Sequence, residues 1–431
     1  MTTAVTSKIP DIWPPTEGET HQAPLEDVLP EPPRGWRRNV SSRLARSLFL
    51  SAVKRCEVSV HLEGRTYGRG GPSMTIHNAD EFFARLGVDK NIGFGEAYMT
   101  QTWTSPDPAS FLTVLAGEVA TLIPRWMQTL RPIVMPRPSV RDRGEKDDTR
   151  RNIAHHYDLS NDFFALFLDP TMTYSAARFP EDEDGHPIPG ADLEQAQIRK
   201  IDDLLDMAHV GEGTRLLEIG SGWGALAIRA ALRGAIVRTI TLSVEQQQLA
   251  QQRIAEAGLE DRITVDLCDY RDVDGIYDAV VSVEMIEAVG WRYWPTYFEA
   301  IEQALAPGGR AVIQAITMPH DRMLATRNTY TWINKYIFPG GFLPSVQALE
   351  EVADTTGLRL SQKVSLGQHY AETLRQWDQR FSASIEEWTA MDFDAMFGRA
   401  WHFYLEYSRA GFASSYLDDH QLLFTQTDEP I

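Results

Sequence analysis

The residues able to do chemistry in this chain sit where apolar runs end. Glu284 and Glu287 follow the run Ala279 to Val283 and put two carboxylates at one strand end. Leu216-Leu217-Glu218-Ile219-Gly220-Ser221-Gly222-Trp223-Gly224 closes another run with an acid and then breaks into a glycine turn. Thr241-Leu242-Ser243, with Gln246 one turn further on, ends a third. Asp269-Tyr270 ends a fourth, and Gln314-Ala315-Ile316 a fifth. An open α/β sheet binds its ligands beyond the carboxyl ends of its strands, so these groups converge on one crevice.

The glycine turn decides what kind of ligand fits. Glycines permit backbone angles closed to other residues and let the main chain approach a ligand. A dinucleotide loop would read G-x-G-x-x-G; here the pattern is G-x-G-W-G after a glutamate. That favours the amino-acid part of S-adenosylmethionine (SAM), whose ammonium pairs with acids and carbonyls, with a dinucleotide site as the competitor. Thr241, Ser243 and Gln246 suit the hydroxyls of a ribose or the methionine moiety. Asp269 suits an adenine amine and Tyr270 a stacking face; the plainer role for Asp269 is a helix cap. For Glu284 and Glu287 the plainer role is a structural ion pair, and their place at a cleft mouth favours function.

The elements that position these groups alternate as strand and helix. A helix over 193–207 carries Ile198, Ile201, Leu204 and Leu205 on one face. Strands are predicted to 219 and over 236–242, 263–268, 279–283 and 311–316, and helices over 225–232, 245–257 and 294–305, the last stopped by Ala306-Pro307-Gly308-Gly309. Such alternation gives a parallel sheet with right-handed crossovers. Residues 348–355, 359–364 and 421–425 supply a last helix and two strands. Segments 318–345 and 370–412 interrupt the pattern and are rich in aromatics.

Upstream, residues 1–33 are rich in proline and acid and read as flexible. Residues 34–135 form a smaller α+β domain, and 136–151 a charged linker to a catalytic domain over 152–431. From Arg34 to Arg55 there are seven basic residues and no acid, with Leu44, Leu48 and Ala52 at helical spacing. This is either a basic amphipathic helix for an anionic lipid surface or a domain-edge helix with its stripe in the core. The net charge of −19 argues against a nucleic-acid partner. Two distant cysteines, Cys56 and Cys268, make neither a disulfide framework nor a zinc site, and no apolar run spans a bilayer. Cytoplasm is the expected compartment.

His156-Tyr157-Asp158-Leu159-Ser160-Asn161-Asp162-Phe163-Phe164 and Leu168-Asp169-Pro170-Thr171-Met172-Thr173-Tyr174-Ser175 open a series of motifs. The strand-end motifs follow, then His369-Tyr370-x-x-Thr373-Leu374-x-x-Trp377 and Tyr404-x-x-Tyr407-x-x-Ala410-Gly411-Phe412. In this order, over roughly 152–426, they resemble the cyclopropane-fatty-acyl-phospholipid synthase family. The resemblance implies a Rossmann-like class I SAM-dependent methyltransferase sheet with helical insertions. It implies methyl transfer to a cis double bond of an acyl chain in membrane phospholipid, at the inner face of the membrane; a homodimer is one of the oligomeric states the sequence leaves open. The alkene is the nucleophile, and the carbocation formed must be kept from water and deprotonated.

In the family the base is a bound bicarbonate. Carried over by motif, Glu287, Tyr370, Gln314, Ile316 and His156 belong to the catalytic group, with Glu284 an added acid where bacterial synthases have a small residue. Tyr174, Ser175, Glu218, Gly220, Gly222, Trp223, Gly224, Thr241, Ser243, Gln246, Asp269 and Tyr270 belong to the SAM site. Two positions depart: Ala176 stands where a cysteine is common, and Gln314 where a histidine is common. Glutamine donates a hydrogen bond but carries no proton. Over its length the chain most resembles the actinobacterial tuberculostearate branch, which makes 10-methylene-octadecanoyl chains from oleoyl lipid for a separate reductase. Direct ring closure to a cyclopropane is the alternative product, and methylation of a soluble molecule or non-catalytic SAM or lipid binding are the readings from other classes. Tyr330, Trp332, Tyr336, Ile337, Phe338, Phe342 and Leu343 of one insertion, and Trp377, Phe381, Trp388, Phe393, Phe397, Trp401 and Phe403 of the other, have core packing as the plainer role one by one. Together they exceed what a minimal methyltransferase sheet needs, as a dry acyl tunnel would require.

Overall fold

The computed structural model describes residues 29, 31–33, 36–122, 159–327 and 329–427. His156, the linker 136–151 and nearly all of the segment 1–33 lie outside the described residues. The chain divides into two compact units, Met1–Leu130 with Asp378–Ala410, and Arg131–Trp377 with Gly411–Ile431.

In the first unit, strands β1 (Ser59–Leu62), β2 (Arg65–Gly68), β3 (Ser73–Ile76) and β4 (Trp103–Thr104) form a sheet in the order β2-β1-β3-β4. Strands β1 and β3 run parallel, and the other pairs are antiparallel. Asp378–Ala410 groups here because its side chains complete this core. Phe403 packs against Tyr98 with ring centroids 5.1 Å apart, and Arg399 Nε donates to the Met99 carbonyl at 2.6 Å. The division expected from sequence ran unbroken through this segment. The aromatics Phe381, Trp388, Phe393, Phe397 and Trp401 stack on one another within the same segment.

The basic segment forms the helix Trp36–Val53. Its apolar residues split between two faces. Phe49 meets Phe82 and Phe83 edge-on, and Val53 is buried, whereas Val40, Leu44 and Leu48 are 63%, 58% and 38% exposed. Spacing of four puts those three on one outward stripe.

In the second unit, β5 (Arg215–Ile219), β6 (Ile236–Thr241), β7 (Ile263–Leu267), β8 (Tyr277–Val283), β9 (Leu305–Thr317), β10 (Leu358–Ser365) and β11 (Asp418–Gln426) form one sheet. The order is β10-β11-β9-β8-β5-β6-β7, with β5 to β9 parallel and β11 antiparallel to both neighbours. Strand order reverses between β5 and β8, and this is the switch point where such sheets open a crevice. Apolar residues cover both faces. Tyr297, Phe298 and Ile301 of the helix Trp294–Ala304 pack on Leu217, Ile313 and Phe424; Leu204, Leu226 and Ala227 pack on Leu216, Val281 and Val312.

Two local expectations change. The turn Ala306 to Gly309 does not separate helix from strand: β9 begins at Leu305, and the turn is an irregularity where register shifts between Tyr277 and Ala279 of the partner. In the helix Leu193–Met207, Ile198 is only half-buried, and Gln197 and Lys200 take places on the buried face. That helix is capped by Asp192, which accepts from the Gln195 amide at 2.8 Å.

Candidate active site

The glycine turn leaves β5 at Ile219 and is tied to β6, because the Gly220 and Ser221 amides both donate to the Ile240 carbonyl at 3.0 Å. Gly220 has φ +97°, and a Cβ there would lie 2.5 Å from Cγ of Met285. Gly222, at φ +47°, faces open space. Gly224, at φ +88°, starts the helix Ala225–Leu232. Beside this cradle Glu218 Oε2 and Ser221 Oγ are buried and have no hydrogen-bond partner among the described residues. Burial pushes the Glu218 carboxyl up to about 8, countered only in part by the Thr239 hydroxyl and then by Lys200. A buried acid waiting for a cation, an unused hydroxyl and an open glycine face together fit the amino-acid end of SAM.

Across the switch point, three acidic side chains crowd the ends of β8, β9 and β11. Glu284 sits at the left-handed φ of +49°, held by its amide donating to the Gln314 carbonyl at 2.8 Å. Its Oε1 accepts from the Ala176 amide at 2.9 Å and from Gln314 Nε2 at 3.0 Å, and its Oε2 accepts from the Tyr370 hydroxyl at 2.7 Å. Tyr370 is itself fixed by stacking on Phe412, centroids 4.4 Å apart. Glu287 Oε1 accepts from the Ile316 amide at 2.6 Å, while its Oε2 is buried without a partner among the described residues. Burial, with Glu284 adding to it, pushes Glu287 up to about 8. Asp419 Oδ2 shares Gln314 Nε2 at 2.8 Å, and its carboxyl is raised well above the ordinary range by burial and then by Glu284 and Glu287. Lys200 is the buried cation near this group; its Nζ donates to Ser175 Oγ at 2.6 Å, and burial lowers it to about 8.

A sheet with this strand order, a glycine cradle with an unsatisfied acid, and a dry carboxylate cluster beyond the strand ends describe a methyltransferase site. The sequence profile described as "Mycolic acid cyclopropane synthetase" matches residues 144–422. The chain belongs to the mycolic acid cyclopropane synthetase family. It is 53% identical over 405 residues to the tuberculostearic acid methyltransferase UfaA1 of Mycobacterium tuberculosis, covering 92% of this chain and 94% of that protein. It is 31% identical to the cyclopropane-fatty-acyl-phospholipid synthase of Escherichia coli, over 83% of this chain and 89% of that one. The solved structure of the mycolic acid cyclopropane synthase CmaA1 complexed with SAH and CTAB superposes with TM-score 0.58 at 31% identity, over 64% of this chain and 98% of that chain. This synthetase-family chain is therefore a SAM-dependent methyltransferase with the class I fold.

Within the synthetase-family sheet the remaining expected residues fall into two sets. Ser175 is buried, accepting from Lys200 at its hydroxyl and from Gln197 Nε2 at its carbonyl, 2.9 Å away. The Tyr174 ring packs between Phe164 and Trp377, and the Trp223 ring packs on Phe164 while its Nε1 donates to Asn161 at 2.7 Å. These contacts bind the opening motif to the glycine cradle. Thr241, Ser243 and Gln246 bond one another: Thr241 Oγ1 donates to Gln246 Oε1 at 2.9 Å, and Ser243 caps its helix by accepting from the Gln246 amide at 3.1 Å. Asp269 caps the turn Tyr270–Asp272 and accepts from Arg271 at 2.6 and 2.8 Å, so its cap role is present in the fold. Tyr270 lies edge-on to Tyr297, centroids 5.0 Å apart.

Lys200 and Asp419 are the site residues that sequence reasoning passed over. A lysine on the apolar face of a helix was the available signal for the first. Asp419 had none, because only the pairing of β11 with β9 sets it opposite Ile316.

Proposed function

We propose that this enzyme transfers the SAM methyl group to the cis double bond of an oleoyl-type chain in membrane phospholipid and yields a 10-methylene-stearoyl lipid. The observation that carries the reading is the buried acceptor at Glu284, set on three donors beside the SAM cradle in a chain 53% identical to a tuberculostearic acid methyltransferase. An alkene needs no side-chain nucleophile, only a cation-tolerant dry site and a base. Glu218 would hold the SAM ammonium, the glycine turn would follow its amino-acid backbone, and Thr241, Gln246, Asp269 and Tyr270 lie on the side assigned to ribose and adenine. Glu284, Glu287, Gln314, Tyr370 and the Ile316 amide would face the reacting carbons. His156 belongs to this group by its motif alone.

Among the described residues no helix is long and apolar enough to cross a membrane. Access to lipid from the cytoplasmic side is assigned to the helix Trp36–Val53, whose outward Val40, Leu44 and Leu48 stand beside exposed Arg43 and ahead of exposed Lys54 and Arg55. Apolar burial plus basic flanks is what holds a helix at an anionic interface. A separate reductase would complete the saturated methyl branch.

The test is mass spectrometry of fatty-acid methyl esters after incubation with SAM and dioleoyl phospholipid vesicles. A product heavier by one CH2 and cleaved by ozone supports the methylene reading. The same mass resistant to ozone means ring closure, and no heavier product with SAM still bound rejects lipid methylation.

A further inference from the structure

We propose that the Glu284 carboxylate is the proton acceptor of this reaction and occupies the place of a bound bicarbonate. The inference rests on the methyl-transfer reading above and assigns its base to the protein itself.

The donor set is what decides. Family resemblance points to five positions around the anion: Tyr370, Gln314, the residue at Ala176, Ile316 and Glu287. Three of their donors, the Ala176 amide, Gln314 Nε2 and the Tyr370 hydroxyl, converge on the two oxygens of Glu284 at 2.7–3.0 Å. The fourth, the Ile316 amide, is taken by Glu287 at 2.6 Å. A bicarbonate placed here would find those donors engaged and would face Glu284, Glu287 and Asp419 at close range. Desolvating an anion among acids with no donor to receive it is unfavourable. The residues present do not fit the ion. They do fit a carboxylate of the same planar shape, delivered on a side chain.

The backbone points the same way. Glu284 holds a left-handed φ of +49°, a conformation that a small residue, glycine above all, tolerates best. Strain of this kind persists where the surroundings hold it and the side chain is needed. The distribution of donors places the negative charge as well. Glu284 accepts three hydrogen bonds, whereas Asp419 Oδ1 and Glu287 Oε2 have no partner among the described residues. Burial raises all three carboxyls, and Glu284 is the one that receives three hydrogen bonds favouring its ionised form, so its charge is the best held of the cluster.

The chemistry balances without another co-reactant. The alkene π pair forms a bond to the SAM methyl carbon as the carbon–sulfur bond breaks, and sulfur keeps that pair as S-adenosylhomocysteine. The neighbouring alkene carbon is left cationic. A hydride moves to it from the methylated carbon, which becomes the cation. The new methyl group then loses a proton to a Glu284 oxygen, and its C–H pair becomes the exocyclic double bond. In the ring-closing variant no hydride moves and the same C–H pair closes the cyclopropane; the proton again ends on Glu284.

The experiment compares wild type, Glu284→Gln and Glu284→Gly in buffer stripped of carbon dioxide and in buffer with added bicarbonate, with dioleoyl vesicles and SAM. Wild-type turnover is expected to be the same in both. Glu284→Gln is expected to lose about 10²–10⁴-fold in kcat, the span of a general base, with SAM affinity within about twofold. Glu284→Gly relieves the left-handed strain and frees three donors, and added bicarbonate is expected to restore part of its turnover. Wild-type activity that vanishes without bicarbonate and saturates with it overturns the assignment, and that result needs no variant to fold. Glu284→Gln at near wild-type kcat overturns it equally. A wild type that makes no heavier lipid in either buffer fails at the methyl-transfer reading itself, and the assignment falls with it.

Discussion

Glu218→Gln removes the ionisable group from the proposed SAM cradle and leaves its shape. Glu218 is 3% exposed, and burial pushes its carboxyl up to about 8, so the SAM-free enzyme holds it largely neutral at pH 7. Pairing with the SAM ammonium requires the ionised form. Each pH unit below the folded value charges about 1.4 kcal/mol against binding, hence about 1.4 kcal/mol at pH 7 and about 2.7 at pH 6. A charge-assisted hydrogen bond returns about 1.5–3 kcal/mol. The wild type should therefore bind SAM about 10- to 100-fold more tightly than Glu218→Gln above pH 8. Below that the advantage shrinks about tenfold per unit, to near parity by pH 6. Ionisation of SAM itself is common to both proteins and cancels in the ratio. Titration calorimetry from pH 6 to 9, in two buffers of different ionisation enthalpy, measures the ratio and the proton released by Glu218 at pH 7. A ratio that stays flat with pH, or a Glu218→Gln protein that binds as wild type at pH 8.5, refutes the assignment of Glu218 to the ammonium.

Three further outcomes follow from the geometry. Gly220→Ala puts a Cβ 2.5 Å from Met285 Cγ at a φ of +97°; it should cost about 1–3 kcal/mol and weaken SAM binding at least tenfold, and an unchanged Tm with unchanged affinity would count against the turn as the cradle. Asp419→Asn keeps an oxygen for Gln314 and removes a buried acid that faces Glu284, Glu287 and Lys200. Because the folded Asp419 is raised above its unfolded value near 4, wild-type stability is present below that pH and is lost as pH climbs. Tm curves of the two proteins should meet near pH 4 and separate by pH 8, with the asparagine variant about 1–3 kcal/mol more stable; parallel curves would contradict the buried acid. Leu44→Glu with Leu48→Glu alters two exposed side chains, so Tm should hold while binding to anionic vesicles drops about tenfold in co-sedimentation. Equal binding would remove this helix from the membrane.

Much of the catalytic unit was legible before any fold was in hand. Strand–helix alternation, the turn at Gly220 to Gly224 and the acids at Glu284 and Glu287 are properties of near neighbours in sequence. Periodicity and turn chemistry act over a few residues, so element type and the groups at strand ends follow from them. The switch-point rule then placed those ends together without knowledge of any contact.

What the sequence could not determine was decided by pairings across long separations. Three donors from residues 176, 314 and 370 close on one carboxylate at 284 only because β8 and β9 pair and the helix Gly367–Ala383 brings Tyr370 to them. Asp419 enters the cluster through the register that sets it against Ile316. The aromatics of 381–403 looked like tunnel lining by composition, yet their contacts fall inside the N-terminal unit, and composition carries no address. The basic helix shows the same division of labour. Its turn-by-turn spacing required a stripe, but only packing against Phe82 and Phe83 determined that Phe49 faces inward and Leu44 faces water. Local propensities set which elements form; burial of apolar area between distant segments sets which faces meet, and the active site is made of those meetings.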